Sequence, residues 1–137
     1  MKLLGIDHIG ILVKNIDSAM KVYSVMGLKP ALIEENEAYK VKIAFLPVSG
    51  GVLVELIEPI GPGRLKEQLE NYGEGIDHIA FKVDDIEKSL RELKEQGIPL
   101  QDETPQLGGA GAKVAFLKKE GANNVSIELK EGGSEIV

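Results

Sequence analysis

The chain has 137 residues, 43% hydrophobic and 28% charged, with a net charge of −6 and no cysteine. This is the composition of a folded soluble domain, and the negative balance argues against a nucleic-acid surface, which needs a basic face. Disulfides and thiolate metal sites are excluded, no apolar run approaches a membrane span, and residues 1–15 lack a signal-peptide cleavage pattern, so a cytoplasmic location is expected.

Residues 3–13 are rich in aliphatic and β-branched side chains and read as a strand. Alternation places Ile6, His8, Gly10 and Leu12 on one face, and Ile9, Ile11 and Val13 on the other. Asn15 suits an N-cap, after which Ile16, Ala19, Met20, Tyr23 and Met26 follow at helical spacing. Gly27 supplies a left-handed C-cap, and Pro30 discourages continuation. Strands are predicted over residues 39–47 and 51–58, joined by a turn at Ser49, Gly50 and Gly51, with a shorter strand around residues 32–35. The cluster Ile60-Gly61-Pro62-Gly63 marks a boundary, and Leu65, Leu69 and Tyr72 predict a short connecting helix beyond it.

Then the pattern restarts. GIDHIG at Gly5 returns as GIDHIA at Gly75, an offset of 70 residues, and residues 5–28 align on 75–98 without a gap. Asp85 takes the place of Asn15 as cap, Ile86, Leu90 and Leu93 form the apolar stripe, and Gly97 repeats Gly27. KIAFL at Lys42 returns as KVAFL at Lys113, offset by 71, and VLVELIE at Val52 returns as VSIELKE at Val125, offset by 73. Three blocks in one order mean internal duplication. The expected architecture is α+β: a single domain of two tandem βαβββ modules, approximately residues 1–60 and 73–137, joined by a short linker helix. Their curved mixed sheets are expected to enclose a metal-centred cleft. A half-length module alone buries too little surface to be stable, so the two should pack together.

The repeat holds the only two histidines, His8 and His78, in register, and its third block adds Glu55 and Glu128. Two imidazoles and two carboxylates suit a divalent first-row ion, Co, Zn, Ni or Mn. Four such ligands on an octahedral ion leave two positions for a substrate. Taken singly, each residue has a plainer reading, a satisfied core histidine or a solvated glutamate at a strand edge. Matched positions for all four argue for the metal. Lys42 and Lys113 form a third matched pair, either solvated strand residues or anion ligands. The loop Leu107-Gly108-Gly109-Ala110-Gly111-Ala112 offers backbone N–H groups with little bulk, either as a flexible connection or as cover over a substrate. It is no Walker motif, because no Gly-Lys-Ser/Thr leads into a helix.

Duplicated units with His, Glu, His and Glu at matched positions resemble the vicinal oxygen chelate superfamily, which includes glyoxalase I and extradiol dioxygenases. Within it, GEGIDHIAFKVDDIEKSLRELKEQGIPL (residues 73–100), DETPQLGGAGAKVAFL (102–117) and VELIEP (54–59) are similar to methylmalonyl-CoA epimerases. The resemblance implies metal ligands at His8, Glu55, His78 and Glu128, with Glu128 also the catalytic base. It implies a metal-dependent isomerase, interconverting the 2R and 2S forms of methylmalonyl-CoA by α-proton abstraction and reprotonation through a metal-stabilised enolate. It further implies an acyl-CoA substrate, no nucleic-acid or membrane partner, and a homodimer. Some family members carry a second catalytic glutamate on the strand that bears Lys42; Lys42 either donates the opposite-face proton, holds the substrate carboxylate or points away, and Lys113, Gly109 and Gly111 are expected near the substrate. Lys118-Lys119-Glu120-Gly121 stands where the family usually has His-Pro before a glycine-rich turn. The alternatives are a glyoxalase I-like lactoylglutathione lyase and a non-catalytic small-molecule-binding member.

Overall fold

In the computed structural model, which describes residues 1–136, the first half runs β1 (Leu3–Leu12), α1 (Ile16–Val25), β2 (Leu32–Asn36), β3 (Val41–Pro47) and β4 (Leu53–Pro59). Helix α2 (Arg64–Tyr72) follows where a connecting helix is expected. The second half runs β5 (Gly75–Val83), α3 (Ile86–Glu95), β6 (Gln106–Leu107), β7 (Lys113–Phe116) and β8 (Ile127–Glu131). The α+β class and the doubled βαβββ order are those predicted. Among the described residues, no helix is long and apolar enough to cross a membrane.

Local chemistry sets the boundaries. Asn15 Oδ1 accepts the Ser18 N–H at 3.0 Å, and Asp85 Oδ1 accepts the Lys88 N–H at the same distance, so α1 and α3 begin at equivalent caps. Gly27, at φ 90°, ends α1, and the Leu28 N–H reaches back to the Tyr23 carbonyl. The strand predicted from residue 39 starts later, at Val41. Tyr39 and Lys40 close the preceding turn, with Asn36 Oδ1 accepting the Tyr39 N–H and Lys40 at φ 55°. Strand β6 has only two residues against five in β2, because Pro105 precedes it and a 3-10 turn, Gly109–Gly111, follows.

The chain forms two compact units, one from Met1–His8 and His78–Ser134, the other built on Ile9–Asp77. β1 and β5 each give one end to each unit. In the second unit the strand order is β2-β3-β4-β1, with β2, β3 and β4 antiparallel. Val13, Ile16, Ala44, Leu46 and Leu56 form its core beneath α1. In the first, the order is β5-β8-β7-β6, with β5 and β8 parallel and the remaining pairs antiparallel. Val83, Ile86, Leu90, Leu100, Ala115, Leu117 and Leu129 form its core beneath α3.

Strand alternation then sorts the glutamates. Leu56 and Leu129 point to the helices, so Glu55 and Glu128 take the opposite faces of their sheets. Their cross-strand partners are matched as well: Phe45 lies opposite Glu55, and Phe116 opposite Glu128.

Candidate metal centre

His8 comes from β1, His78 from β5 and Glu128 from β8, all within the first unit and all buried. His8 Nε2 lies 2.9 Å from His78 Nε2 and 3.1 Å from Glu128 Oε1, and His78 Nε2 lies 2.9 Å from the same oxygen. Three atoms with lone pairs thus form a triangle, which needs a proton or a cation to hold it together.

The size of this triangle is informative. With metal–ligand bonds of about 2.1 Å, one face of an octahedron has edges of about 3.0 Å, whereas a tetrahedron has edges of about 3.4 Å. The observed edges are close to those that a divalent ion would impose on its ligands, so the residues fit such an ion. Phe116 packs its ring against the His78 imidazole, edge to face, with centroids 5.5 Å apart.

Electrostatics agree with an anionic ligand. Burial pushes the Glu128 carboxyl up, but its contacts with the His78 and His8 imidazoles together outweigh it and bring it to about 2. The expected fourth ligand, Glu55, is buried on β4 in the second unit.

Two charged residues that the sequence reading passed over stand behind His8. Asp7 Oδ2 accepts from His8 Nδ1 at 2.7 Å and from Lys130 Nζ at 2.9 Å, and both residues are buried. Lys82 Nζ approaches the other Asp7 oxygen at 3.7 Å. Burial raises the Asp7 carboxyl, and the His8 and Lys130 contacts bring it below its ordinary value. A signal for Asp7 was present, since Asp precedes His in both copies. Strict alternation hid it by assigning neighbouring residues to opposite faces. Lys130 had no such signal, because its repeat equivalent is Ile57.

The two matched lysines stand elsewhere. Lys42 pairs across the sheet with Glu58 and shares its β3 face with Ala44 and Leu46, which pack under α1. It is therefore on the opposite face from Glu55. Lys113 pairs with Glu131 on the α3 side of its sheet, opposite the Glu128 face, and its Nζ lies 3.9 Å from both Glu87 and Glu131. Gly109 and Gly111 lie in the 3-10 turn, where Gly111 has φ 75° and the Ala110 carbonyl accepts the Ser134 N–H at 2.7 Å. A Cβ on Gly108 would sit 2.5 Å from Val114 Cγ1, so the turn's backbone lies directly against a side chain of the Glu128 face.

Comparison with known proteins gives the same class. Residues 7–116 match the family described as the Glyoxalase/Bleomycin resistance protein/Dioxygenase superfamily, and the chain belongs to it. An uncharacterised protein of Bacillus subtilis is 38% identical over 128 residues, covering 92% of this chain and 91% of its own length. The crystal structure of methylmalonyl-CoA epimerase from Mycobacterium tuberculosis superposes with a TM-score of 0.91 at 30% identity, over 96% of this chain and 90% of that one. Methylmalonyl-CoA epimerase from Streptomyces coelicolor, solved in complex with 2-nitronate-propionyl-CoA, gives a TM-score of 0.89 at 28% identity, over 97% of this chain and 100% of that one.

Proposed function

We propose that the protein is a metal-dependent isomerase that interconverts the 2R and 2S forms of methylmalonyl-CoA. The observation that carries this reading is the triangle of His8 Nε2, His78 Nε2 and Glu128 Oε1, with edges of 2.9 to 3.1 Å. Similarity to two methylmalonyl-CoA epimerases along nearly the whole chain supports the choice of reaction.

A divalent ion (Co, Zn, Ni or Mn) would be held by His8, His78, Glu128 and Glu55. Glu55 enters as the repeat equivalent of Glu128, buried and facing Phe45 as Glu128 faces Phe116. When bound, such an ion supplies a Lewis acid that polarises the thioester carbonyl and acidifies the α-proton.

The chain's own groups do the rest. Both imidazoles contact Glu128 through Oε1, so the reading gives the α-proton to Oε2. Phe116, across the sheet from Glu128, and Val114 on the same face are both buried, an apolar setting for the proton transfer in this reading. Gly109 and Gly111 border the acyl group in this reading; Lys113, on the α3 side of its sheet, is given no contact with that group. Direct inversion also needs an acid on the other side of the α-carbon. The face Lys42 occupies packs under α1, so the reading does not rest on Lys42. A cytoplasmic homodimer belongs to the same reading.

The test supplies cobalt-loaded protein with (2S)-methylmalonyl-CoA and, separately, with methylglyoxal and glutathione. Inversion of the first substrate and no turnover of the second are expected. Turnover of the hemithioacetal alone would make the protein a glyoxalase I-like lactoylglutathione lyase. Tight binding without turnover of either would make it a non-catalytic member.

A further inference from the structure

Asp7 and Lys130 are buried charges that the proposed ligand set does not use. Asp7 is 3% exposed and Lys130 8%, and a single oxygen, Asp7 Oδ2, joins Lys130 Nζ at 2.9 Å to His8 Nδ1 at 2.7 Å. An ammonium only donates hydrogen bonds, and an ionised carboxylate only accepts them. The proton of the neutral His8 ring is thereby assigned to Nδ1, and the Nε2 lone pair faces His78 Nε2 and Glu128 Oε1.

We propose that Asp7 and Lys130 are positioning residues of the metal centre, acting through His8: Asp7 locks its tautomer and ring orientation, and Lys130 holds Asp7 in place and away from the ion. This rests on the metal-site reading above.

The duplication shows that such a pair is not a requirement of the fold. The equivalent of Lys130 in the first copy is Ile57, and the equivalent of Asp7 in the second copy, Asp77, accepts from the Gln68 side chain of α2 at 2.9 Å. A buried ion pair is also a weak source of stability, since an apolar pair of similar size often serves as well. Placement behind a ligand histidine gives the pair a purpose, because carboxylates in that position orient the ring and raise its basicity. A free buried carboxylate next to His8 would compete with Glu128 for the ion. Lys130 at one oxygen and Lys82 at the other oppose that.

The experiment has two readouts on wild type, Asp7→Asn, Lys130→Met and Lys130→Arg. Long-range 15N–1H spectra of the metal-free protein, taken well above the imidazole titration, read the His8 tautomer. Competition against a chelator reads the affinity for Co2+. Wild type should show His8 as a single Nδ1–H tautomer. Asp7→Asn and Lys130→Met should show mixed tautomers and bind the ion about 10- to 100-fold more weakly, while Lys130→Arg retains most of both properties. Variants that keep the wild-type tautomer and affinity, even with lower melting temperatures, would overturn the proposal and leave the pair purely structural. Wild type that binds no ion would overturn the metal reading instead. The tautomer, read without metal, would then still decide whether Asp7 and Lys130 position His8.

Discussion

The Glu131 carboxylate accepts the backbone N–H of Ile86 at 2.9 Å, and in the other repeat Glu58 does the same for Ile16 at 2.8 Å. Each glutamate stands three residues beyond a buried one, Glu128 or Glu55, on the opposite face of the strand. One strand therefore sends a carboxylate to each side of its sheet, one to the candidate site and one to a helix N-terminus, where a negative charge is favoured. Glu131→Ala should lower stability by about 1 kcal/mol, read as a reduced urea midpoint, while metal affinity is unchanged. A variant as stable as wild type would remove the capping role.

Gly108 has no room for a side chain. Gly108→Ala would drive a Cβ to within 2.5 Å of Val114 Cγ1, which is 2% exposed and has little room to yield. The cost should be about 1–3 kcal/mol, as for other overpacked sites. Adding Val114→Ala should recover part of it, read by chemical unfolding of both variants. A double variant less stable than the sum of its parts would refute this packing account.

Glu55 can be tested apart from Glu128. Leu53 and Ile57 flank it on its strand face, Phe45 lies opposite, and the residue is buried. Glu55→Gln keeps the shape and removes the charge. The variant should gain less in melting temperature from saturating Co2+ than wild type does, each measured against its own metal-free form, because weaker binding stabilises less. An undiminished metal shift would take Glu55 out of the ligand set.

Lys42→Ala should leave turnover of methylmalonyl-CoA within a few-fold of wild type, because its side chain emerges on the face that α1 covers. A loss on the order of 100-fold, the scale of a missing acid–base group, would restore Lys42 as the opposite-face acid.

Much of this was legible in the chain itself. GIDHIG and GIDHIA gave both histidines and the repeat, and capping residues and glycines gave the helix limits, because each acts within a few residues. The glutamates became legible only through the repeat, since Glu55 and Glu128 are unremarkable singly. Asp7 and Lys130 stayed hidden for a physical reason. Their contact joins residues 123 apart, and it is present in only one copy of the duplication. The lysines at 42 and 113 matched in sequence for a reason other than the site: both stand across from the glutamates that cap the helices. Nor does the division into units follow the repeat, because one unit takes Met1–His8 together with His78–Ser134.

The most direct test of the central claim is deuterium entry at the α-carbon of methylmalonyl-CoA in deuterium oxide, followed by mass spectrometry. Wild type loaded with Co2+ should exchange the proton, chelator-treated wild type should not, and Glu128→Gln should not even with metal confirmed bound. Equal exchange by the chelated protein, or retained exchange by metal-bound Glu128→Gln, would contradict a metal centre in which Glu128 takes the proton.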